Sequence, residues 1–272
     1  MELLAGIFIF ILGTSIGSFL SVVLHRLRTK EKGIFMGRSR CPACKKKLQG
    51  KDLVPIFSYL FLKGRCRHCH KEISYHYLLL ELITGVVFVL IYAKFSFLSS
   101  SSADLTINLA MNLADISRFL FYAIVAAFLI AVFFYDLQFK GIPDIFLFPL
   151  IAITFIGSLI FKHPDLKNMI LAVLIALIFF GGQRLLSKGK WLGEGDVYLS
   201  ISMALLLGWQ QLLLAIALTY IVGAIISLIL LASQKIRTQS KIPFAPFMVI
   251  GIFGTIFFGE QILDWYLKFL NL

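Results

Sequence analysis

Two aspartates sixty positions apart carry the clearest chemical potential in this sequence. Asp136 closes the apolar run that begins at Ala123, and Asp196 ends Gly193-Glu194-Gly195-Asp196 directly before a new apolar run at Val197. An ionised carboxylate well inside a bilayer costs roughly 2.5–3.5 kcal/mol on insertion scales, so acids at such positions are functional candidates. Two carboxyls held within a few ångströms resist joint ionisation and share a proton. One then acts as base on a water while the other protonates or polarises a carbonyl. Gly193 and Gly195 suit this role, since glycine lets the backbone turn freely and a substrate chain approach closely. The competing reading is that acids at helix ends cap helices or answer their dipoles.

Three further acids lie near these two in character. Asp144, in Ile142-Pro143-Asp144, has the position of an N-cap for the apolar run that follows, or lends support to a pocket beside Asp136. Glu81, about one turn inside another apolar run, is either a polar pocket residue or an acid snorkelling to the interface. Glu194 reads as a solvated member of its loop.

The second cluster is sulfur. Cys41-Pro42-Ala43-Cys44 and Cys66-Arg67-His68-Cys69 are two C-x2-C pairs separated by 21 residues, one beyond the usual zinc-ribbon window. Two such turns each offer two thiolates and together complete a closed tetrahedral Zn2+ site of structural type. Metal binding then supplies folding free energy on the order of 10 kcal/mol to a segment with little apolar core. The alternatives are free structural thiols or disulfides. His68 and His70 are near enough to compete as ligands but rank below the four cysteines, and the surrounding Lys and Arg favour thiolates.

The elements that must hold these groups are set by composition. Of 272 residues, 59% are hydrophobic and 15% charged, with a mean hydropathy of +0.90; a soluble domain has about 45–50% and about 25%. Apolar runs recur at 3–24, 77–98, 116–135, 145–161, 169–186, 197–207, 212–232 and 244–258. This predicts an all-α polytopic membrane protein of about eight transmembrane helices with a small zinc-ribbon-like loop domain. The first run reads as an uncleaved anchor, because its basic residues follow it rather than precede it. The expected organisation is a first transmembrane helix at 1–24, a basic four-cysteine zinc-binding domain at 25–76, a second helix with an external loop at 77–115, and a six-helix core at 116–272.

Net charge is +12, and residues 25–76 alone carry 14 Lys/Arg against Glu31, Asp52 and Glu72. With the N-terminus outside, 21 Lys/Arg fall on the cytoplasmic side; Lys94, Arg118, Lys162, Lys167 and Lys268 remain outside. That split satisfies the positive-inside rule. It also accounts for the surplus through orientation and contact with anionic membrane lipid, with no nucleic-acid partner expected. The same topology puts the cysteines, Asp136 and Asp196 at one membrane face. Residue types alone still leave room for an ion- or proton-coupled transporter with a regulatory zinc loop, or a membrane-tethered zinc module on nucleic acid.

A resemblance narrows these classes. Gly17-Ser-Phe-Leu-Ser-Val-Val-Leu-His-Arg26-Leu27, the two cysteine pairs, Glu81-Leu-Ile-Thr-Gly85, Asp136-Leu137 with Ile142-Pro143-Asp144, Gly193-Glu-Gly195-Asp196-Val197 and Ile242-Pro-Phe-Ala-Pro-Phe247 occur in order along nearly the whole chain. Together they resemble the bacterial type IV prepilin peptidases, membrane aspartic proteases of the GxGD class. The resemblance implies that Asp136 and Asp196 are catalytic. It implies that type IV prepilins or pseudopilins are cut after the glycine ending a basic leader, at the cytoplasmic face of the inner membrane. It also implies S-adenosylmethionine-dependent N-methylation of the new terminus, supported by the N-terminal half. Ser21, Tyr198 and Ala245 depart from the family pattern, and methyl transfer rests on the resemblance alone.

Overall fold

The computed structural model describes residues 2–30, 33, 37–100, 113–234 and 242–269. Most of the expected external loop lies outside the described residues, at 101–112, as do Glu31 of the basic loop and Lys235, Arg237 and Lys241 of the charge count. The described secondary structure is helical, with two isolated β-bridges. In order come α1 (Glu2–Thr29), a 3-10 turn (Gly50–Asp52), α2 (Phe57–Phe61), α3 (Tyr75–Ser100), α4 (Leu113–Phe139) and α5 (Asp144–Phe161). Then α6 (Leu166–Ala176) passes through a π-helical turn (Leu177–Gly181) into α7 (Gly182–Leu186), followed by α8 (Glu194–Ala232) and α9 (Ala245–Phe269). Helices are the expected solution, because hydrocarbon offers no partner for an open backbone.

Among the described residues, seven helices are long and apolar enough to cross a membrane. They expose large apolar side chains such as Phe8, Ile160, Ile178 and Leu228, a pattern that suits contact with lipid. The sixth expected run, 197–207, is the first limb of α8. That helix has 39 residues, about twice what one crossing needs. At Gly208 it breaks (φ 73°, ψ 173°), and both angles belong to a region essentially reserved for glycine.

The chain divides into two compact units, Met1–Ala131 and Val132–Leu272, with the boundary inside α4. In the first unit α1 and α3 pack closely over small residues. A Cβ on Gly13 would lie 2.9 Å from the Gly85 Cα, and one on Gly17 would lie 2.8 Å from the Glu81 Cα. Gly13-x-x-x-Gly17 is thus the small-residue stripe that lets membrane helices approach backbone to backbone. The start of α4 joins this unit through edge-to-face contacts of Phe119 with Phe88 and Tyr92. In the second unit α8 packs against α5, α6 and α9. Gly251 allows α9 to approach Ala215 and Thr219 of α8, and the Ser158 hydroxyl donates to the Leu205 carbonyl at 2.7 Å.

Candidate functional sites

In the second unit, α4 ends one turn beyond Asp136. The Lys140 N–H donates to the Asp136 carbonyl at 2.8 Å, and Lys140 takes a left-handed conformation (φ 54°) that reverses the chain toward α5. The Asp136 carboxylate is 5% exposed and receives the backbone N–H groups of Gly141 and Ala245. Ala245 is the first residue of α9, so Asp136 answers the positive end of a helix remote from it in sequence.

Asp196 sits in the first turn of α8, 8% exposed, with the Gly193 N–H donating to its Oδ2 at 2.9 Å. The two glycines have separable jobs. A Cβ on Gly193 would lie 3.1 Å from that same Oδ2, and one on Gly195 would press on the Ile142 side chain at 3.1 Å. Gly195 therefore lets the 140–143 turn lie against the start of α8. Asp196 is close enough to Asp136 for the two charges to repel, and close enough to Arg184 for attraction. Arg184 itself pairs with the exposed Glu194 at 3.2 Å. The fold thus brings two carboxyls from separate helices into one buried locality, each also held by backbone N–H groups. Such a pair can share a proton and bracket a water and a carbonyl.

Asp144 corrects an expectation. The N-cap of α5 is Pro143, extended at φ −72° and ψ 137°, and its carbonyl accepts the Phe146 N–H at 3.0 Å. Asp144 is the exposed first residue of the helix, and no side-chain hydrogen bond caps this end. Pro143 has the extended torsion of an N-cap, and its carbonyl accepts the first intrahelical bond as that of any N-cap residue does. The acid that follows still faces the helix's positive end.

In the first unit, the four cysteine sulfurs lie within 4.8 Å of one another, with Cys41 and Cys69 Sγ 3.9 Å apart. Tetrahedral zinc with bonds of about 2.3 Å places sulfurs roughly 3.8 Å apart, so the donor set fits a single Zn2+. The two half-sites repeat one another. The Cys41 N–H donates to the Lys46 carbonyl and the Lys45 N–H to the Cys41 carbonyl; Cys66 makes the matching pair with Lys71 and His70. Lys45 and His70 both adopt positive φ, at 60° and 55°. This repeat is visible in the aligned spacing of the two C-x2-C segments once the turn is known. His68 and His70 are exposed and are not part of the sulfur cluster. The Lys71 N–H favours the Cys69 thiolate, but burial and the sulfurs of Cys66, Cys44 and Cys41 outweigh it and push the thiol up to about 11. A dication at the centre relieves that crowding of negative charge.

Glu81 is buried on α3, and its Oε2 accepts the Ile56 N–H at 2.7 Å. Ile56 has φ 62° and ψ −56°, and the Phe57 N–H reaches back to the Pro55 carbonyl at 2.6 Å. This is the strained form of the three-residue γ-turn, and no residue type near Ile56 announces it in sequence.

Comparison with known proteins covers most of the chain. The family model described as Bacterial Peptidase A24 N-terminal domain matches residues 11–95, and that of the Type IV leader peptidase family matches 123–228. The prepilin leader peptidase/N-methyltransferase of Stutzerimonas stutzeri is 26% identical over 291 residues, covering 96% of this chain and 93% of its own. The protein of that name from Legionella pneumophila is 28% identical over 295 residues, covering 99% and 95%. The one from Pseudomonas aeruginosa is 26% identical over 288 residues, covering 95% and 92%. No solved structure matches significantly.

Proposed function

The chain belongs to the type IV prepilin leader peptidase/N-methyltransferase family, and from that premise we propose that it is a multi-pass membrane aspartic endopeptidase cleaving prepilin or pseudopilin leaders. The observation that carries this reading is the burial of both carboxyls, Asp136 near the end of α4 and Asp196 in the first turn of α8, with Asp136 close enough for its charge to act on Asp196.

In the proposed mechanism one carboxyl is ionised and the other protonated. The ionised one takes a proton from a water as the water oxygen attacks the carbonyl carbon of the leader's last glycine. The protonated one donates to the carbonyl oxygen, giving a neutral tetrahedral diol. Collapse breaks the C–N bond as the carboxyl that took the water's proton passes it to the departing amine and the other carboxylate takes a proton from a diol hydroxyl, which restores the starting state of the dyad. No covalent enzyme intermediate forms. Gly193 and Gly195 support the dyad by keeping its backbone close, and Asp144 lines the same chain reversal.

The reading places the N-terminus outside and the cysteine domain and both aspartates at the cytoplasmic face of the inner membrane. There a prepilin's apolar helix enters from lipid while its basic leader stays in water. The positive-inside split of Lys and Arg supports that orientation. Cys41, Cys44, Cys66 and Cys69 would hold a structural Zn2+. The reading includes N-methylation of the new terminus, for which bound S-adenosylmethionine supplies the methyl group.

The test is cleavage of a prepilin in membranes or nanodiscs by the wild type, Asp136→Asn and Asp196→Asn. Each variant is expected to lose at least ~100-fold in rate. Cleavage at wild-type rate by both overturns the aspartic mechanism.

A further inference from the structure

The first unit contains a cavity of about 890 Å3 between α1, the start of α3 and the cysteine segment, with Cys41 and Cys66 on its border. Its volume falls within the range of roughly 300–1,000 Å3 typical of small-molecule and cofactor sites. Ser18 and Val22 of α1, Arg38, Tyr59, Lys71 and Glu81 are among the residues that face it.

Glu81 gives this cavity a chemical preference. Its carboxylate is buried, and it receives the Ile56 N–H and the Ser18 hydroxyl, both neutral donors. An ionised carboxylate offers about four acceptor positions, so capacity remains for a cationic guest. The strained turn at Ile56 is spent on bringing an N–H to this carboxylate. Strain of this kind persists only where surrounding contacts enforce it, and it concentrates at ligand sites. Arg26, the buried cation on the cavity wall, is already engaged by the carbonyls of Gly33, Gly37 and Arg38, so it shapes the wall. The Arg38 and Lys71 side chains supply positive charge for an anionic group, and the Tyr59 ring, seated over Gly64, supplies an aromatic face.

A buried carboxylate, cationic side chains and an aromatic ring lining one space of this size fit a zwitterionic nucleoside. S-adenosylmethionine is such a molecule, with ammonium and sulfonium groups, a carboxylate and an adenine. We propose that this cavity is the S-adenosylmethionine site and that Glu81 faces the donor's positive groups, an inference that rests on the methyl-transfer part of the proposed function.

The test uses the full chain in lipid nanodiscs, with zinc content as the folding control. Equilibrium dialysis with tritiated S-adenosylmethionine is expected to give one saturable site. Glu81→Gln should weaken binding roughly ten-fold or more, and Val22→Trp, which fills the cavity, should abolish it. Ultraviolet cross-linking of the same ligand should label peptides within 18–26, 52–62 or 71–81. Label confined to other peptides, or wild-type affinity in both zinc-replete variants, overturns the site and leaves methyl transfer standing. A wild type that neither binds the ligand nor methylates a cleaved prepilin overturns both, and one that methylates without binding overturns the site. If a variant loses its zinc, the cross-linked peptides decide alone.

Discussion

The Asn168 side-chain oxygen accepts the Trp209 N–H at 2.7 Å, at the point where Gly208 breaks α8. A helix restarting at Trp209 has N–H groups without intrahelical partners, and Asn168 on α6 satisfies one of them. A Cβ at Gly208 would lie 2.7 Å from that same oxygen and 2.9 Å from the Pro164 Cβ. Gly208→Ala therefore meets both a forbidden backbone region and a clash, a cost on the order of 1–3 kcal/mol or more. Asn168→Ala should cost about 1–3 kcal/mol through the unsatisfied N–H. Thermal unfolding in detergent, followed by circular dichroism, should show both variants melting earlier; unchanged melts would refute this account of the kink.

The close packing of α1 on α3 predicts a second effect. Gly17→Val forces α1 away from the Glu81 Cα and the Leu80 carbonyl, both backbone atoms that cannot step aside. Overpacking of this kind costs about 1–3 kcal/mol. It should also loosen the contact of Glu81 with Ile56, so limited proteolysis should cut faster within 50–62. Equal cleavage of variant and wild type would show that the approach is slack.

The sulfur cluster predicts one zinc per chain. Cys41→Ser or Cys66→Ser should drop the metal content measured by plasma mass spectrometry by most of one equivalent, and a strong chelator should make 38–73 protease-sensitive. Metal retained at full occupancy by both variants would remove the assignment of the four cysteines as ligands.

The ion pair between Asp52 and Arg67, at 2.7 Å, gives the cysteine module a pH dependence. Burial pushes the Asp52 carboxyl up, but the Arg67 hydrogen bond, the Gln49 N–H and the charges of Arg67 and Lys51 outweigh it and hold it below its usual 3.8. A carboxyl depressed by folding adds stability that is complete above its unfolded value and is lost as pH falls through the folded one. The protease resistance of 38–73 should therefore differ between wild type and Asp52→Asn at pH 7, by on the order of 1 kcal/mol. The difference should shrink below about pH 3.8; a gap that widens in acid would contradict the sign.

Much of this was legible in the sequence because the signals are local. Hydropathy placed the spans, and C-x2-C spacing placed Cys41, Cys44, Cys66 and Cys69. The apolar run beginning at Val197 placed the next helix, which the structure starts three residues earlier, at Glu194 after Gly193. What was not legible depends on torsions or on remote partners. Runs 197–207 and 212–232 look like separate helices because hydropathy cannot report that the chain turns within one residue, Gly208. Asp144 resembled an N-cap because propensity does not weigh the carbonyl of Pro143. The link from Asp136 to the Ala245 N–H joins residues more than a hundred positions apart, and the strained turn at Ile56 has no compositional mark.

The most direct measurement is the rate of prepilin cleavage by purified enzyme in nanodiscs, comparing wild type, Asp136→Asn, Asp196→Asn and the double variant, each with its zinc content checked. Residues that share one proton act as a unit, so each single variant should fall by at least ~100-fold and the double variant should fall little further. Cleavage within a few-fold of wild type by either single variant, with zinc and fold intact, would contradict the dyad.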